Sequence, residues 1–336
     1  MINRLLTAAT NRIYSMPVLV LMPHSRCNCR CVMCDIWKSN HNKKEISPEV
    51  LQGHIEAFRK LGVKRVALSG GEALMHTNLW NLCEQLHAIG IKISLLSTGI
   101  LLRVHAPEIV KHCDDVIVSL DGSREVHNAI RNIPSAFEKL EEGVHALKAI
   151  DEMFPVTGRC VLQKLNFRDL HDIVSTAKQL GFDQISFLAA DVSSTAFNHV
   201  QGWNDEKADG ITLTLGEVDE FEEIIKQSFI DFKYEYRHKF IAESQEKMQG
   251  LVQYYRAIIG MAAFPAQKCN APWVSAVIES NGEVMPCFFH QPYGNISDGS
   301  FEEIINSVKA VSFRKNLNVK KDEICKKCVC SLYLKS

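Results

Sequence analysis

Six short apolar runs, most of them followed by a stretch with helical periodicity, constrain this chain more than any other feature. They are 17–22 (PVLVLM), 64–69 (KRVALS), 92–97 (KISLLS), 115–120 (DVIVSL), 156–163 (VTGRCVLQ) and 184–190 (QISFLAA). Rich in Val, Ile and Leu, they read as strands covered on both faces, the pattern of a parallel sheet. Helix signals lie between them. In SPEVLQGHIEAFRKLG, Ser47 stands at the cap, Pro48 in the first turn and Gly62 past the end. Further helices are predicted over NLWNLCEQLHAIG, near 106–112, over 136–150 and over 169–180. Such a series closes into a barrel or spreads as an open wound sheet.

The remainder has a different texture. From about 192 to 264 the pattern is helical, with TLGEVDEFEEIIKQSF and a second helix around 238–258. In WVSAVIESNGEVMPC, Asn281-Gly282 between two apolar runs predicts a tight β-hairpin. The expected fold is therefore α/β: a partial (β/α)6 TIM-like barrel with a small C-terminal cysteine-rich domain that contains a β-hairpin. The expected divisions are an N-terminal extension at 1–16 carrying a short amphipathic helix, the barrel at 17–225, a helical connector at 226–264 and the C-terminal domain at 265–336. A length of 336 residues suits a barrel with an appendix.

Charge narrows the function classes. Lys+Arg total 38 and Asp+Glu 39, so no basic bias marks a nucleic-acid binder. The apolar run MPVLVLMP is too short to span a bilayer, and the first fifteen residues lack a signal-peptide core. A cytoplasmic protein is expected. Twelve cysteines in such a chain point to metal or catalysis rather than disulfides. Four lie at 27–34 and five at 269–330, while Cys83, Cys113 and Cys160 are scattered singly, as small buried hydrophobes often are.

Parallel barrels carry chemistry at the C-terminal ends of their strands. The cysteine loop SRCNCRCVMC, then SGGE, STG and SLDG, all fall at such ends. Cys27, Cys31 and Cys34 have the spacing CxxxCxxC. Three thiolates on one loop can hold three irons of a cubane and leave the fourth open, since clusters usually take four cysteines. A zinc knuckle is the competing reading, with His24 or Cys29 completing the tetrahedron. Gly70 and Gly71 let backbone approach a ligand closely, and Glu72 can accept from an ammonium group. Asp121 can accept from a ribose or an ammonium, and Arg131 can pair with a carboxylate in a fork. An ordinary strand-to-helix turn would also account for either segment alone. The thirteen histidines show no metalloprotease spacing, and neither a Walker loop nor a dinucleotide-binding glycine fingerprint appears.

Together, Cys27, Cys31 and Cys34, then Gly70-Gly71-Glu72, then the segment from Ser119 to Arg131 resemble the radical S-adenosylmethionine (radical SAM) superfamily, over roughly 17–190. The resemblance implies that the three cysteines hold a 4Fe–4S cluster whose open iron binds S-adenosylmethionine. It implies contact with the amino group at Gly70, Gly71 and Glu72, and with ribose or carboxylate at Ser119, Asp121 and Arg131. It further implies reductive cleavage to a 5′-deoxyadenosyl radical that takes a hydrogen atom from the substrate, with an electron donor such as flavodoxin or ferredoxin. One departure is Met33, where the family usually has an aromatic residue near the adenine. Cys29 falls outside the pattern as a bystander thiol.

The C-terminal set, Cys269, Gly282 with Cys287, then Cys325, Cys328 and Cys330, resembles the auxiliary-cluster domains called SPASM and Twitch. Five cysteines, against seven in the full SPASM pattern, imply one auxiliary 4Fe–4S cluster. Cys269, Cys287, Cys325 and Cys328 are the expected ligands, with Cys330 as the alternative to Cys328; a structural zinc site is the other reading. An auxiliary cluster with a complete cysteine shell can accept or relay an electron, so oxidation or rearrangement of a small molecule is the expected reaction. About sixteen residues before the first strand lean toward that substrate class. A peptide-modifying maturase that cross-links or epimerises is the alternative, and a non-catalytic zinc- or cluster-binding regulator a third. Asp191, Cys160 and Gln163 lie on or after the last two strands without an assigned role. No nucleic-acid partner and no membrane span are expected.

Overall fold

The computed structural model describes residues 2–199 and 203–335. Residue 1, residues 200–202 and residue 336, which belong to the expected extension, barrel and C-terminal domain, lie outside the described residues. One nine-stranded sheet organises the chain. Its strands are β1 (Val18–His24), β2 (Arg65–Gly70), β3 (Lys92–Ser97), β4 (Asp115–Ser119), β5 (Val156–Leu162), β6 (Gln184–Ala189), β7 (Ser275–Ile278), β8 (Glu283–Met285) and β9 (Gly294–Asn295). The order across the sheet is β6-β5-β4-β3-β2-β1-β7-β8-β9. The first six strands run parallel in sequence order, as crossover helices require.

Strand periodicity sorts the side chains. On β5, Val156, Gly158, Cys160 and Leu162 are buried, while Thr157, Arg159 and Val161 alternate with them at intermediate exposure. β2 and β4 repeat the pattern. The buried set packs against the helices in the main core. The other set faces the barrel interior, where space remains for a ligand.

The C-terminal hairpin is not a separate layer. β7 pairs in parallel with β1, Val18 opposite Ser275 through Leu21 opposite Ile278, and β8 and β9 follow antiparallel. All four residues of β7 are buried, which explains why its apolar run carries no alternation. Gly282 closes the hairpin loop at φ +86°, where a Cβ would lie 2.5 Å from Asn295 Oδ1.

The expected boundary at 225 falls inside the helix Leu215–Asp231. The connector protects a sheet edge. Ile185 of β6 donates to Phe240 and accepts from Ala242, so 240–242 covers the strand that would otherwise be exposed. Tyr255 in helix Gln245–Ile258 donates to Leu162 and accepts from Ala190, pinning that helix across the ends of β5 and β6. The single helix expected over 48–61 is two, Pro48–Gln52 and Ile55–Lys60, broken at Gly53 and His54. Glycine's low helix propensity permits the break, and the His54 ring is buried by it. No helix among the described residues is long and apolar enough to cross a membrane.

Candidate active site

The loop after β1 is held from three sides. Asn40 clamps Cys27, accepting from its N–H at 3.0 Å and donating to its carbonyl at 2.8 Å. Arg30 and Val32 donate to the carbonyls of Arg131 and Ile130, at the C-terminal end of helix Arg124–Arg131. Those carbonyls have no partner within their own helix, so the loop supplies the cap. Asp35, next to Cys34, gathers Lys38, Lys207 and the Trp203 indole N–H at 3.0, 2.5 and 2.9 Å, which fastens the segment after β6 to the loop.

At the end of β2 the loop touches the sheet. Gly70 has φ +114°, and a Cβ there would lie 2.9 Å from the His24 carbonyl oxygen. At Gly71 a Cβ would lie 2.1 Å from the Arg26 carbonyl oxygen. Only glycine fits both positions. Glu72 turns behind the rim: it is fully buried, and its carboxylate accepts from Leu74 N, Ser97 Oγ and both Thr98 N and Oγ1 at 2.7–3.1 Å. Burial pushes this carboxyl up and the four donors oppose it.

These elements enclose a cavity of about 250 Å³. Cys27, Cys31, Met33 and Cys34 line one wall, with Gly70, Gly71, Ser119 and Arg131 beside them. Arg159 and Val161 come from β5, Asp191 from the end of β6, and Val329 and Cys330 from the C-terminal tail. Glu72 and Asp121 do not line it. Asp121 is fully buried, ion-paired with Arg131, and accepts from Val161 N at 3.1 Å. It therefore does not reach the cavity as a ribose contact; it aims Arg131. The Arg131 Nη1 stands 3.4 Å from Cys31 Sγ.

The thiols differ. A hydrogen bond from Cys29 and the Arg131 charge hold Cys31 below the ordinary thiol range, against burial. Burial pushes Cys27 and Cys34 up, Cys34 to about 12. Cys29 is buried, hydrogen-bonded to Cys31, and faces away from the cavity. His24 turns the other way, pairing with Glu45 at 3.1 Å. Neither is aimed to complete a tetrahedron with the other three thiols, whereas three thiols facing open space beside an arginine and close backbone fit a cubane with one open iron. Met33, the departure from the family pattern, lies in the cavity wall.

An outer groove of about 440 Å³ adjoins this cavity and shares Ile36, Gly71 and Phe197 with it. It runs between the cysteine loop and the β7–β8 hairpin, past Lys44, Glu279 and Phe288. Phe197 sits between the two spaces at φ +56°, stacked on Phe288 at 6.3 Å.

The five C-terminal cysteines are all partly exposed and come from three places: before β7, after β8, and the tail. Cys287 is pushed up to about 11 by burial, opposed by the N–H groups of Phe289 and His290. Cys328 and Cys330 share a hydrogen bond; Cys330 faces the inner cavity, Cys328 a neighbouring cleft with Asp191 and Phe289. His290 Nε2 lies 3.4 Å from Cys325 Sγ and 3.7 Å from Asp322 Oδ1. This grouping has a nitrogen, an oxygen and a sulfur ligand atom mutually within 4.8 Å. Sequence reading missed His290 and Arg159. Their signals were a histidine three residues after Cys287 and a charge inside an apolar strand.

The radical SAM superfamily model matches residues 21–177, and the model of the SPASM iron–sulfur cluster-binding domain matches residues 269–329. The chain thus carries a radical SAM domain followed by a SPASM-type iron–sulfur domain. It is an enzyme of that class, and its cofactors are S-adenosylmethionine, the 4Fe–4S cluster that binds it and an auxiliary 4Fe–4S cluster. It is 25% identical over 292 residues to the antilisterial bacteriocin subtilosin biosynthesis protein AlbA of Bacillus subtilis, covering 84% of this chain and 58% of that protein. The chain thus spans less than two thirds of that relative's length. It is 27% identical over 301 residues to the AdoMet-dependent heme synthase of Methanosarcina barkeri, covering 86% of this chain and 81% of that one. In fold it resembles Streptococcus suis SuiB bound to precursor peptide SuiA, with TM-score 0.68 at 14% identity, over 98% of this chain and 74% of SuiB.

Proposed function

We propose that this enzyme oxidises a small organic substrate, with the C-terminal cluster as the electron acceptor. The observation that carries the reading is one cavity lined both by Cys27, Cys31 and Cys34 and by Cys330 of the C-terminal set. In this reading the first three thiolates hold the cluster that binds S-adenosylmethionine, and the bound pair supplies the nucleoside radical that takes a hydrogen atom from substrate. Cys269, Cys287 and Cys325, with Cys328 or Cys330, hold the auxiliary cluster. Gly70 and Gly71 offer backbone to the amino group of S-adenosylmethionine. Arg131 and Ser119 take its carboxylate, with Asp121 aiming the guanidinium and Glu72 fixing Ser97 and Thr98. The apolar wall of Met33, Leu96, Val161 and Leu188 excludes water from the reacting centre. A substrate that has lost a hydrogen atom then needs to lose one electron and one proton to become an oxidised product. Asp191, at the cavity edge and hydrogen-bonded to Ser193 and Ser194, is placed to receive the proton.

A second reading is modification of a peptide. The open outer groove beside the hairpin favours it, as does the likeness to AlbA, whose name places it in bacteriocin biosynthesis.

The test is anaerobic reconstitution, with counts of iron and sulfide and an assay for 5′-deoxyadenosine after adding reductant and S-adenosylmethionine. About eight irons per chain are expected for two 4Fe–4S clusters. Cys27→Ala retaining full cleavage would sink the reading. A product formed with no net electron leaving substrate would remove the oxidation.

A further inference from the structure

Arg159 has no place in the chemistry above. It points from the middle of β5 into the barrel, between the inner cavity and a second chamber at the opposite end of the strands. That chamber is polar and holds two other basic residues: Arg65, which pairs with Asp115 and donates to Ser94, and Lys92, which is exposed at the start of β3. Arg131 is ion-paired with Asp121. Arg159 differs. Its Nε donates to Ser186 Oγ at 3.2 Å, which is its single hydrogen bond among the described residues. No carboxylate among them comes within ion-pair distance of it. Glu243 and Cys330 are the groups that bear on its charge, and Glu243 is already engaged by Phe187 N and Lys247.

A partly buried guanidinium that lines a cavity with one hydrogen bond and no ion pair leaves its terminal nitrogens available to an anion. Its fork geometry is matched by a carboxylate in two parallel hydrogen bonds. We propose that Arg159 is the substrate anchor, receiving a substrate carboxylate at the floor of the inner cavity, so that the substrate is an organic acid. The proposal rests on the function argued above and names the substrate class for that site. Arg131 serves S-adenosylmethionine at the rim and Arg159 serves the substrate at the floor, so the substrate lies between the nucleoside and the barrel interior.

The experiment uses the full chain, reconstituted with iron and sulfide and saturated with S-adenosylmethionine without reductant. Calorimetry compares succinate, benzoate and N-acetyl-dialanine with their neutral amides, the last pair separating a peptide terminus from a small acid. At least one acid should bind the wild type tenfold or more tightly than its amide. Arg159→Gln should lose that preference, with the same iron content and the same affinity for S-adenosylmethionine. The ligand-free unfolding midpoint of Arg159→Met should stay close to that of the wild type, because the charge removed is partly exposed and has no ion-pair partner. Acids and amides binding alike, or no acid binding, overturns the proposal. So does a lower midpoint for Arg159→Met, which would mean a structural partner. Loss of S-adenosylmethionine affinity in Arg159→Gln would assign the residue to that cofactor instead. Failure of the wild type to bind S-adenosylmethionine at all would instead count against the functional reading itself.

Discussion

Gly71→Ala tests how closely the cysteine loop must lie against the sheet. The new methyl would stand 2.1 Å from the Arg26 carbonyl oxygen, 2.5 Å from its carbon and 3.0 Å from Cys27 N. All three are backbone atoms, so no side chain can swing aside. The loop has to move, and Arg26 O also accepts from Glu72 N at 2.8 Å. Overpacking costs about 1–3 kcal/mol and an unsatisfied buried acceptor about 1–3 kcal/mol more. A loss of roughly 3 kcal/mol or greater is expected at this contact, concentrated where Cys27 leaves the strand. The barrel should persist, because the clash lies at the strand's end and outside the core. Reconstituted Gly71→Ala should therefore hold about four irons, those of the auxiliary cluster, and lose calorimetric binding of S-adenosylmethionine. Gly250→Ala is the matched control. It lies inside helix Gln245–Ile258 with nothing within 4 Å of the added carbon. It should be stabilised by about 1 kcal/mol and keep full iron. Full iron and wild-type S-adenosylmethionine affinity in Gly71→Ala would refute the argument that this contact sets the site.

Three further outcomes are expected. Cys29→Ser should keep iron content and cleavage, since serine can still donate to Cys31; loss of iron on reconstitution would make Cys29 a ligand. Asp121→Ala should cost about 3–5 kcal/mol in urea unfolding, because Arg131 is left buried and uncompensated, and adding Arg131→Met should recover part of it. Glu45 tests acid stability: burial raises its carboxyl, but Lys43, Thr77 and His76 outweigh this and hold it from its ordinary 4.5 down to about 2. A depressed acid adds stability above its unfolded pKa and loses it as pH falls, so Glu45→Gln should flatten the wild-type loss of stability between pH 4.5 and 2.

The barrel is legible because most of its strands obey two local rules at once, a buried apolar run and a helix start after it. Strand ends came within two residues, as at β1, expected over 17–22 and found at Val18–His24. What could not be read was where the hairpin docks. β7 is four buried residues, and nothing local in SAVI says that its partner is β1, more than 250 positions earlier. Pairing of that kind is decided by which sheet edge remains open after the barrel forms. The same docking brings the C-terminal tail over the barrel mouth and puts Cys330 in the inner cavity.

The site divides along the same line. Cys27, Cys31, Cys34, Gly70 and Gly71 sit on contiguous loops whose spacing is itself the signal. Glu72 and Asp121 carry the same local signal but turn inward, because each finds buried donors or a cation nearer than the cavity: Thr98 and Ser97 for one, Arg131 for the other. A motif can say that an acid is needed at a strand end without saying whether it faces a ligand or a neighbour. Arg159 shows the converse. No motif marks it, yet strand parity alone turns it inward, and its lack of a carboxylate partner separates it from Arg65 and Arg131 in the same barrel. A charge that lines a cavity without an ion-pair partner therefore points to a ligand more directly than an acid already engaged by its neighbours, as Glu72 and Asp121 are.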